Sequence, residues 1–222
     1  MRNAITLTSL LAATYFGASA AAVTLPFTED FDSDSANWFN AAETAPVDWA
    51  PAGGPDGGAY ATTGFNFQFS NEGDRPPMFR GHDALDSSGD GFVGDWITSG
   101  VTTFSFTVRH DAPMPLPFFA RFAPNFAPGA NAVAFAPVFP NVWTTITVPI
   151  NPGAFFIYEG TDFASTFSNV GRVQIGLEVP AGLNGLDQLV TFDLDKPSLV
   201  PAPAAAGLFG IASVAFTSRR RR

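Results

Sequence analysis

The chain is 222 residues long, with no cysteine and 24 phenylalanines. All twenty acidic residues fall between Glu29 and Asp195, where only six bases accompany them (Arg75, Arg80, Arg109, Arg121, Arg172 and Lys196), so this stretch carries a formal charge of −14. Such a field repels phosphate backbones and excludes nucleic acid as a partner, whereas divalent cations and neutral polymers remain compatible with it.

At the N-terminus, Arg2 precedes a mostly apolar run over residues 5–16, and Ala18-Ser19-Ala20-Ala21-Ala22 supplies small residues of the A-x-A kind. That order predicts a secretory signal peptide over residues 1–22, helical in its apolar part. An exported chain without thiols depends on its core, helped by bound ions, since no disulfide can form. Residues 23–199 have the size of one domain, and neither an internal repeat nor a Gly/Ser linker divides them.

Within that domain the pattern is strand after strand. Residues 65–69, 101–108, 142–148 and 172–179 alternate apolar with polar, the period that lets one face of a strand cover a core. Further strands are predicted near residues 25–31, 118–122, 132–139 and 189–199. Turn clusters separate them, among them Gly53-Gly54-Pro55-Asp56-Gly57-Gly58 and Asp86-Ser87-Ser88-Gly89-Asp90-Gly91. Only residues 162–170 read as helix, one or two turns long, with Asp162 as N-cap. Nine or ten strands without a long helix predict an all-β, antiparallel β-sandwich.

The C-terminus has its own order: Val200-Pro201-Ala202-Pro203, an apolar run over residues 204–217, then Ser218 and Arg219, Arg220, Arg221 and Arg222. Proline motif, apolar segment and terminal arginine cluster together resemble the PEP-CTERM sorting signal, with Ala202 where that family has Glu. The resemblance implies an exosortase as processing partner and delivery to the cell surface or extracellular matrix. Physically, the prolines break regular structure, the apolar helix partitions into the bilayer, and the arginines stop transfer on the cytoplasmic side. At about 1.5 Å per residue the run spans roughly 21 Å, short of a hydrocarbon core of about 30 Å, so a transient span is expected rather than a permanent anchor.

Several stretches of the domain are similar to jelly-roll modules of the carbohydrate-binding-module and laminin-G-like kind. They are Phe27-Thr28-Glu29-Asp30-Phe31-Asp32, Trp49 followed by Gly53 to Tyr60, Phe167-Ser168-Asn169-Val170-Gly171-Arg172-Val173-Gln174-Ile175, and Phe192-Asp193-Leu194-Asp195. In such jelly rolls the first and last strands lie side by side, and an acidic residue of each helps hold a structural Ca²⁺. The resemblance therefore implies Glu29 and Asp195 as metal ligands, with Asp32 or Asp193 as alternatives. Ca²⁺ takes six to eight oxygens, from carboxylates and main-chain carbonyls, which suits such a set. Asp83, Asp86, Asp90 and Asp95 form a second acidic group, but they lack the ligand order and terminal Glu of an EF-hand and read as a solvated loop.

Four tryptophans offer flat faces to sugar rings. Trp96 and Trp143 fall in strand-like patterns and read as core, which leaves Trp38 and Trp49, beside loops, as the candidate glycan-binding residues. Catalytic signals are missing: His82 and His110 have no Cys partner, and no G-x-S-x-G, H-E-x-x-H or Walker pattern occurs. A glycosidase would need paired carboxylates across a cleft, for which Glu159 and Glu178 are the candidates. The reading is an exported, noncatalytic polysaccharide-binding module. The alternatives are a structural or adhesive matrix protein without a ligand pocket and, third, a glycoside hydrolase or lyase. An exposed aromatic platform favours the first.

Overall fold

The computed structural model describes residues 21–125 and 127–202. The expected signal segment up to residue 20, Pro203, the apolar run and the arginine cluster lie outside the described residues, as do both terminal helices expected from sequence. In chain order the elements are β1 (Phe27–Thr28), β2 (Asp48–Ala50), β3 (Tyr60–Asn66), β4 (Pro77–His82), β5 (Val101–His110), β6 (Leu116–Pro124), β7 (Asn131–Val138), β8 (Thr144–Pro149), β9 (Phe156–Ile157), α1 (Phe163–Phe167), β10 (Val170–Leu177) and β11 (Leu189–Pro201).

The strands form two antiparallel sheets, ordered β2-β3-β11-β5-β8 and β4-β10-β6-β7-β9. The chain is thus the all-β sandwich that the alternating patterns predict. β11 organises the first sheet. Its early residues pair with β3 (Leu194↔Ala61), its late residues with β1 (Leu199↔Phe27, Ser198↔Thr28), and β5 runs along its other edge. The first and last strands therefore lie side by side. Where β11 changes partner, the register with β5 shifts between Asp195 and Ser198, and Lys196 adopts a left-handed φ of 52°.

Period-two patterning explains the core. On β6, Phe118, Ala120 and Phe122 face inward; on β10, Val173, Ile175 and Leu177 do; on β5, Phe104, Phe106 and Val108 do. Trp96, Phe104, Phe122 and Phe167 pack ring to ring, with centroids 5.3–6.0 Å apart. Each fully buried Phe contributes about 1.5–3 kcal/mol of transfer free energy, so a Phe-rich core holds the sandwich together without disulfides.

Several boundaries differ from the expected ones. The strand expected over residues 65–69 is displaced to Tyr60–Asn66, because β11 pairs with that stretch. The chain then turns, with the Ser70 N–H donating to the Phe67 carbonyl (2.9 Å), and Phe69 is left 90% exposed. The strand expected near residues 25–31 shrinks to two residues. α1 is a single turn, capped as predicted: Asp162 Oδ1 accepts the Ser165 N–H at 2.7 Å. β2 and β4 have no counterpart in the sequence reading. At the other end, β11 continues past residue 199, pairing Val200 with Thr103 and Pro201 with Val101, and the Ala202 N–H donates to the Gly100 carbonyl. The first half of the proline motif is thus the end of a strand rather than an extended linker. Among the described residues no helix is long and apolar enough to cross a membrane.

Candidate functional site

With alternate residues of the five-stranded sheet committed to the core, the others form its outer face. One cross-strand row runs across all five strands: Arg80 on β4, Gln174 on β10, Arg121 on β6, Ala132 on β7 and Phe156 on β9. Directly opposed residues of this kind have Cβ atoms about 4.5–5.5 Å apart. The neighbouring row places Phe119 opposite Gly176 and Ala134. A side chain at residue 176 would run into the Pro76 carbonyl and the Phe119 ring, so glycine is what lets Phe119 lie across β10.

Two loops complete this surface. The Tyr158 N–H donates to the Ala130 carbonyl at 2.9 Å, fixing the tyrosine just beyond β9. The Val179 N–H donates to the Asp74 carbonyl at 2.8 Å, which holds Arg75 beside the end of β10. The guanidinium carbons of Arg75 and Arg121 then lie 5.8 and 5.7 Å from the Tyr158 ring centroid. The result is a continuous groove. Its apolar end, a cavity of about 240 Å³, is lined by Phe119, Ala132, Ala134, Phe156 and Tyr158. Its polar end, about 350 Å³, adds Arg80, Arg121, Arg172 and Gln174 and shares Arg75, Phe119 and Tyr158 with the first. A concavity that joins an apolar, aromatic wall to convergent polar groups is a usual form of small-molecule site.

Three of the four arginines in the groove are paired. Arg75 donates through Nε and Nη2 to Glu178 Oε2 (2.8 and 2.6 Å), and Arg80 donates through Nη1 to Glu43 (2.6 Å) and Nε to the Ala41 carbonyl (3.0 Å). Arg121 donates to Gln174 Oε1 and to Glu159 Oε2 (2.5 Å), and its Nε is buried without a partner. The hydrogen bonds to Glu178 raise the Arg75 pKa above its ordinary value. Burial lowers that of Arg80, and the charges of Arg121 and Arg172 act in the same direction. Glu159 and Glu178 are therefore occupied as guanidinium acceptors and stand half exposed.

A second feature lies on the outer side of the other sheet, where β11 changes partner. Asp195 is 1% exposed, yet neither carboxylate oxygen has a hydrogen-bond partner. Burial, reinforced by the charges of Asp56 and Asp30, pushes its pKa up to about 6. It opens on a recess of about 320 Å³ lined by Asp30, Asp32, Asp56, Gly58, Ala59 and Lys196. A Cβ on Gly54 would meet Gly58 O at 3.0 Å, Ala59 O at 3.3 Å and Asp195 Oδ2 at 3.3 Å, so three oxygens surround a space that only glycine leaves open. Among the described residues no three His, Cys, Asp or Glu side chains converge as a ligand set. The oxygens at hand are one buried carboxylate and main-chain carbonyls, with the other carboxylates on the rim, a donor set that suits a hard cation such as Ca²⁺.

Of the metal ligands implied by sequence, Asp195 is thus in the recess, and so is Asp32. Glu29 is not: its Oε1 turns back to accept the Phe31 N–H at 2.9 Å. Asp193 is engaged with Arg109 (2.8 Å) and the Thr62 hydroxyl (2.7 Å). Trp38 is 0% exposed, packed on Gly81, Phe31 and Phe92 with Nε1 donating to Ser88 Oγ, so it has no face to offer a sugar. Trp49 is 37% exposed on β2, at the edge of the opposite sheet, with its Nε1 bonded to the Phe31 carbonyl. Trp96 is core as expected. Trp143, expected there too, instead lies half-buried on the outer face of the first sheet, meeting the Tyr60 ring edge to face (centroids 5.4 Å apart) with the Arg109 guanidinium carbon 4.5 Å over its own ring. The sequence reading missed Tyr158, Phe156, Phe119 and the arginines. The alternation of residues 172–179 already placed Arg172 and Gln174 on the face away from the core; nothing comparable marked β4 or the loop that carries Tyr158.

No protein-family model matches the chain, and no curated protein matches its sequence. Solved structures do. The family 11 carbohydrate-binding module of the cellulosomal cellulase Lic26A-Cel5E of Clostridium thermocellum has a TM-score of 0.50 and 18% identity, covering 82% of this chain and 97% of that one. An exo-β-agarase has a TM-score of 0.50 and 10% identity, over 78% of this chain and 24% of that one. The L4b domain of human laminin α-2 has a TM-score of 0.45 and 8% identity, over 80% and 98%. At these identities the likeness is one of fold alone, a jelly-roll β-sandwich.

Proposed function

We propose that this domain is a noncatalytic polysaccharide-binding module whose site is the groove across β4, β10, β6, β7 and β9. The observation behind this reading is the groove itself: Tyr158, Phe156 and Phe119 form an aromatic floor beside guanidinium donors on a rigid sheet, and sugar rings bind by their apolar faces on aromatic rings and by their hydroxyls to such donors. The fold shared with the Clostridium thermocellum module supports the same reading. So does the state of Glu159 and Glu178, which a glycosidase would need as acid and base but which here are bonded to Arg121 and Arg75.

Ca²⁺ belongs to this proposal as a structural ion. Asp195 and the Gly58 and Ala59 carbonyls would hold it, with Asp30 and Asp32 turning inward, and its charge would satisfy the buried carboxylate. The proposal also includes export and sorting: the N-terminal segment as signal peptide, an exosortase acting on the tail, and the cell surface or extracellular matrix as destination. Mass-spectrometric mapping of the mature termini tests this part, with a start near Ala21–Val23 and loss of Arg219–Arg222 expected.

Affinity measurements with a panel of soluble polysaccharides, on wild type, Tyr158→Ala and Trp49→Ala, test the site. Tyr158→Ala is expected to weaken binding about tenfold or more, as for an aromatic anchor, and Trp49→Ala to leave it unchanged. Absence of binding to every glycan favours the structural or adhesive matrix role instead.

A further inference from the structure

Residues Glu29 to Asp195 contain twenty acids and six bases, and four of those six bases, Arg75, Arg80, Arg121 and Arg172, line the one groove. Three acids share it, Glu43, Glu159 and Glu178, so the groove is net positive by one charge in a domain of −14. The concentration is built into the sheet. Arg80 and Arg121 flank Gln174 in a single cross-strand row, and Arg172 lies two residues along β10 on the same face. Setting like charges this close is unfavourable unless something neutralises them.

The donors are not used up. Arg172 has no ion pair or side-chain hydrogen bond among the described residues, Arg121 Nε is buried without an acceptor, and Arg80 commits only Nε and Nη1. A guanidinium offers five N–H groups in a fork that matches a carboxylate or sulfate. The acidic partners now present, Glu43, Glu159 and Glu178, are half-exposed glutamates, and ion pairs with a solvent-exposed carboxylate are weak enough to be exchanged for a ligand's anion. The Arg75 and Arg121 guanidinium carbons lie 5.8 and 5.7 Å from the Tyr158 ring centroid, so a sugar ring packed against Tyr158 would bring its substituents within reach of guanidinium groups. The acidic remainder of the domain does not forbid this, because charges more than about 8–10 Å away are screened at physiological ionic strength.

We infer that the groove's ligand is an anionic polysaccharide, one bearing carboxylate or sulfate groups, with Arg172, Arg80 and Arg121 reading the charge and Tyr158 the ring. The inference rests on the polysaccharide-binding reading above and narrows it. It departs from the neutral polymer that the overall charge suggests, since the local field is opposite in sign to the global one.

The test is calorimetric titration of the purified full chain with matched pairs: polygalacturonate against its carboxyl-reduced galactan, and chondroitin sulfate against desulfated chondroitin. Poly-L-glutamate serves as an anion without sugar. Polygalacturonate or chondroitin sulfate is expected to bind at least tenfold more tightly than its reduced or desulfated partner, and the pair that responds identifies carboxylate or sulfate as the anion. Arg172→Gln is expected to lose that preference while the thermal midpoint stays unchanged. Equal affinity within both pairs overturns the inference and leaves the polysaccharide reading standing. An anionic preference that survives both Arg172→Gln and Arg80→Gln also overturns it, because the charge is then read elsewhere. Poly-L-glutamate bound as tightly as the acidic glycans overturns the polysaccharide reading itself.

Discussion

Asp195 and His110 are both buried at 1% exposure and titratable, and they are handled in opposite ways. Asp195 has no internal partner, so the ionised form is destabilising until a cation meets it. In chelator, Asp195→Asn is therefore expected to raise the thermal midpoint, and the rise that Ca²⁺ produces in wild type should vanish in the variant. An unchanged response to Ca²⁺ in the variant would remove Asp195 from the site. His110 is fully satisfied in its neutral form: Nδ1 accepts the Ala112 N–H at 3.2 Å, which leaves Nε2–H to donate to the Val138 carbonyl at 2.9 Å. Burial pushes its pKa below the ordinary value of 6.5. The unfolded chain therefore takes up the proton first, and the contribution of His110, complete above pH 6.5, is lost as pH falls toward the lower folded pKa. Unfolding midpoints between pH 7.5 and 5 should drop more steeply for wild type than for His110→Phe; parallel slopes would contradict this. At this scale Asp195 is singled out in the sequence only through the resemblance of Phe192-Asp193-Leu194-Asp195 to jelly-roll modules, which implies a ligand there. Trp38 could not be placed, because its burial depends on Gly81, Phe31 and Phe92, contacts that no local pattern displays.

Elements were legible in proportion to their alternation. β5, β8, β10 and β11 show it over six residues or more, and each forms close to where it is expected. β4 reads Pro77-Met78-Phe79-Arg80-Gly81-His82, with proline at its start and two consecutive buried residues, Met78 and Phe79. That breaks the period of two, and the register with β10 shifts at the same place, between Ile175 and Gly176. The strand carrying Arg80 was therefore invisible, and with it the row that makes the groove. β10 also sets a tight steric condition. A methyl group at Gly176 would collide with the Pro76 carbonyl and the Phe119 ring, so Gly176→Ala is expected to cost about 1–3 kcal/mol as overpacking does. For a domain of this size that is a fall in Tm of roughly 3–10 °C, read by differential scanning calorimetry; a midpoint within 1–2 °C of wild type would show that β4 and Phe119 can give way.

Over the whole molecule, composition fixed the sign of the average field and was silent on its distribution. An excess of acids excluded nucleic acid, but the six bases are too far apart in sequence, from Arg75 to Lys196, to suggest that four of them share one face. Only sheet order brings β4, β10 and β6 together. The sandwich itself followed from the strand count and lack of long helices, since amphipathic strands without helices can bury their apolar faces only against another sheet. The proline motif shows the opposite case: read locally it is a linker, but the edge of β5 is free to pair there, and β11 extends through Pro201.

The proposed site for polysaccharide is the outer face of the five-stranded sheet. The most direct test is an amide chemical-shift titration of the labelled domain with soluble oligosaccharides, oligogalacturonate first among them. Shifts are expected to concentrate at Arg80, Phe119, Arg121, Tyr158, Arg172 and Gln174, with the opposite sheet around Trp49 and Trp143 unmoved. Shifts confined to that opposite sheet, or none with any oligosaccharide, would contradict that placement.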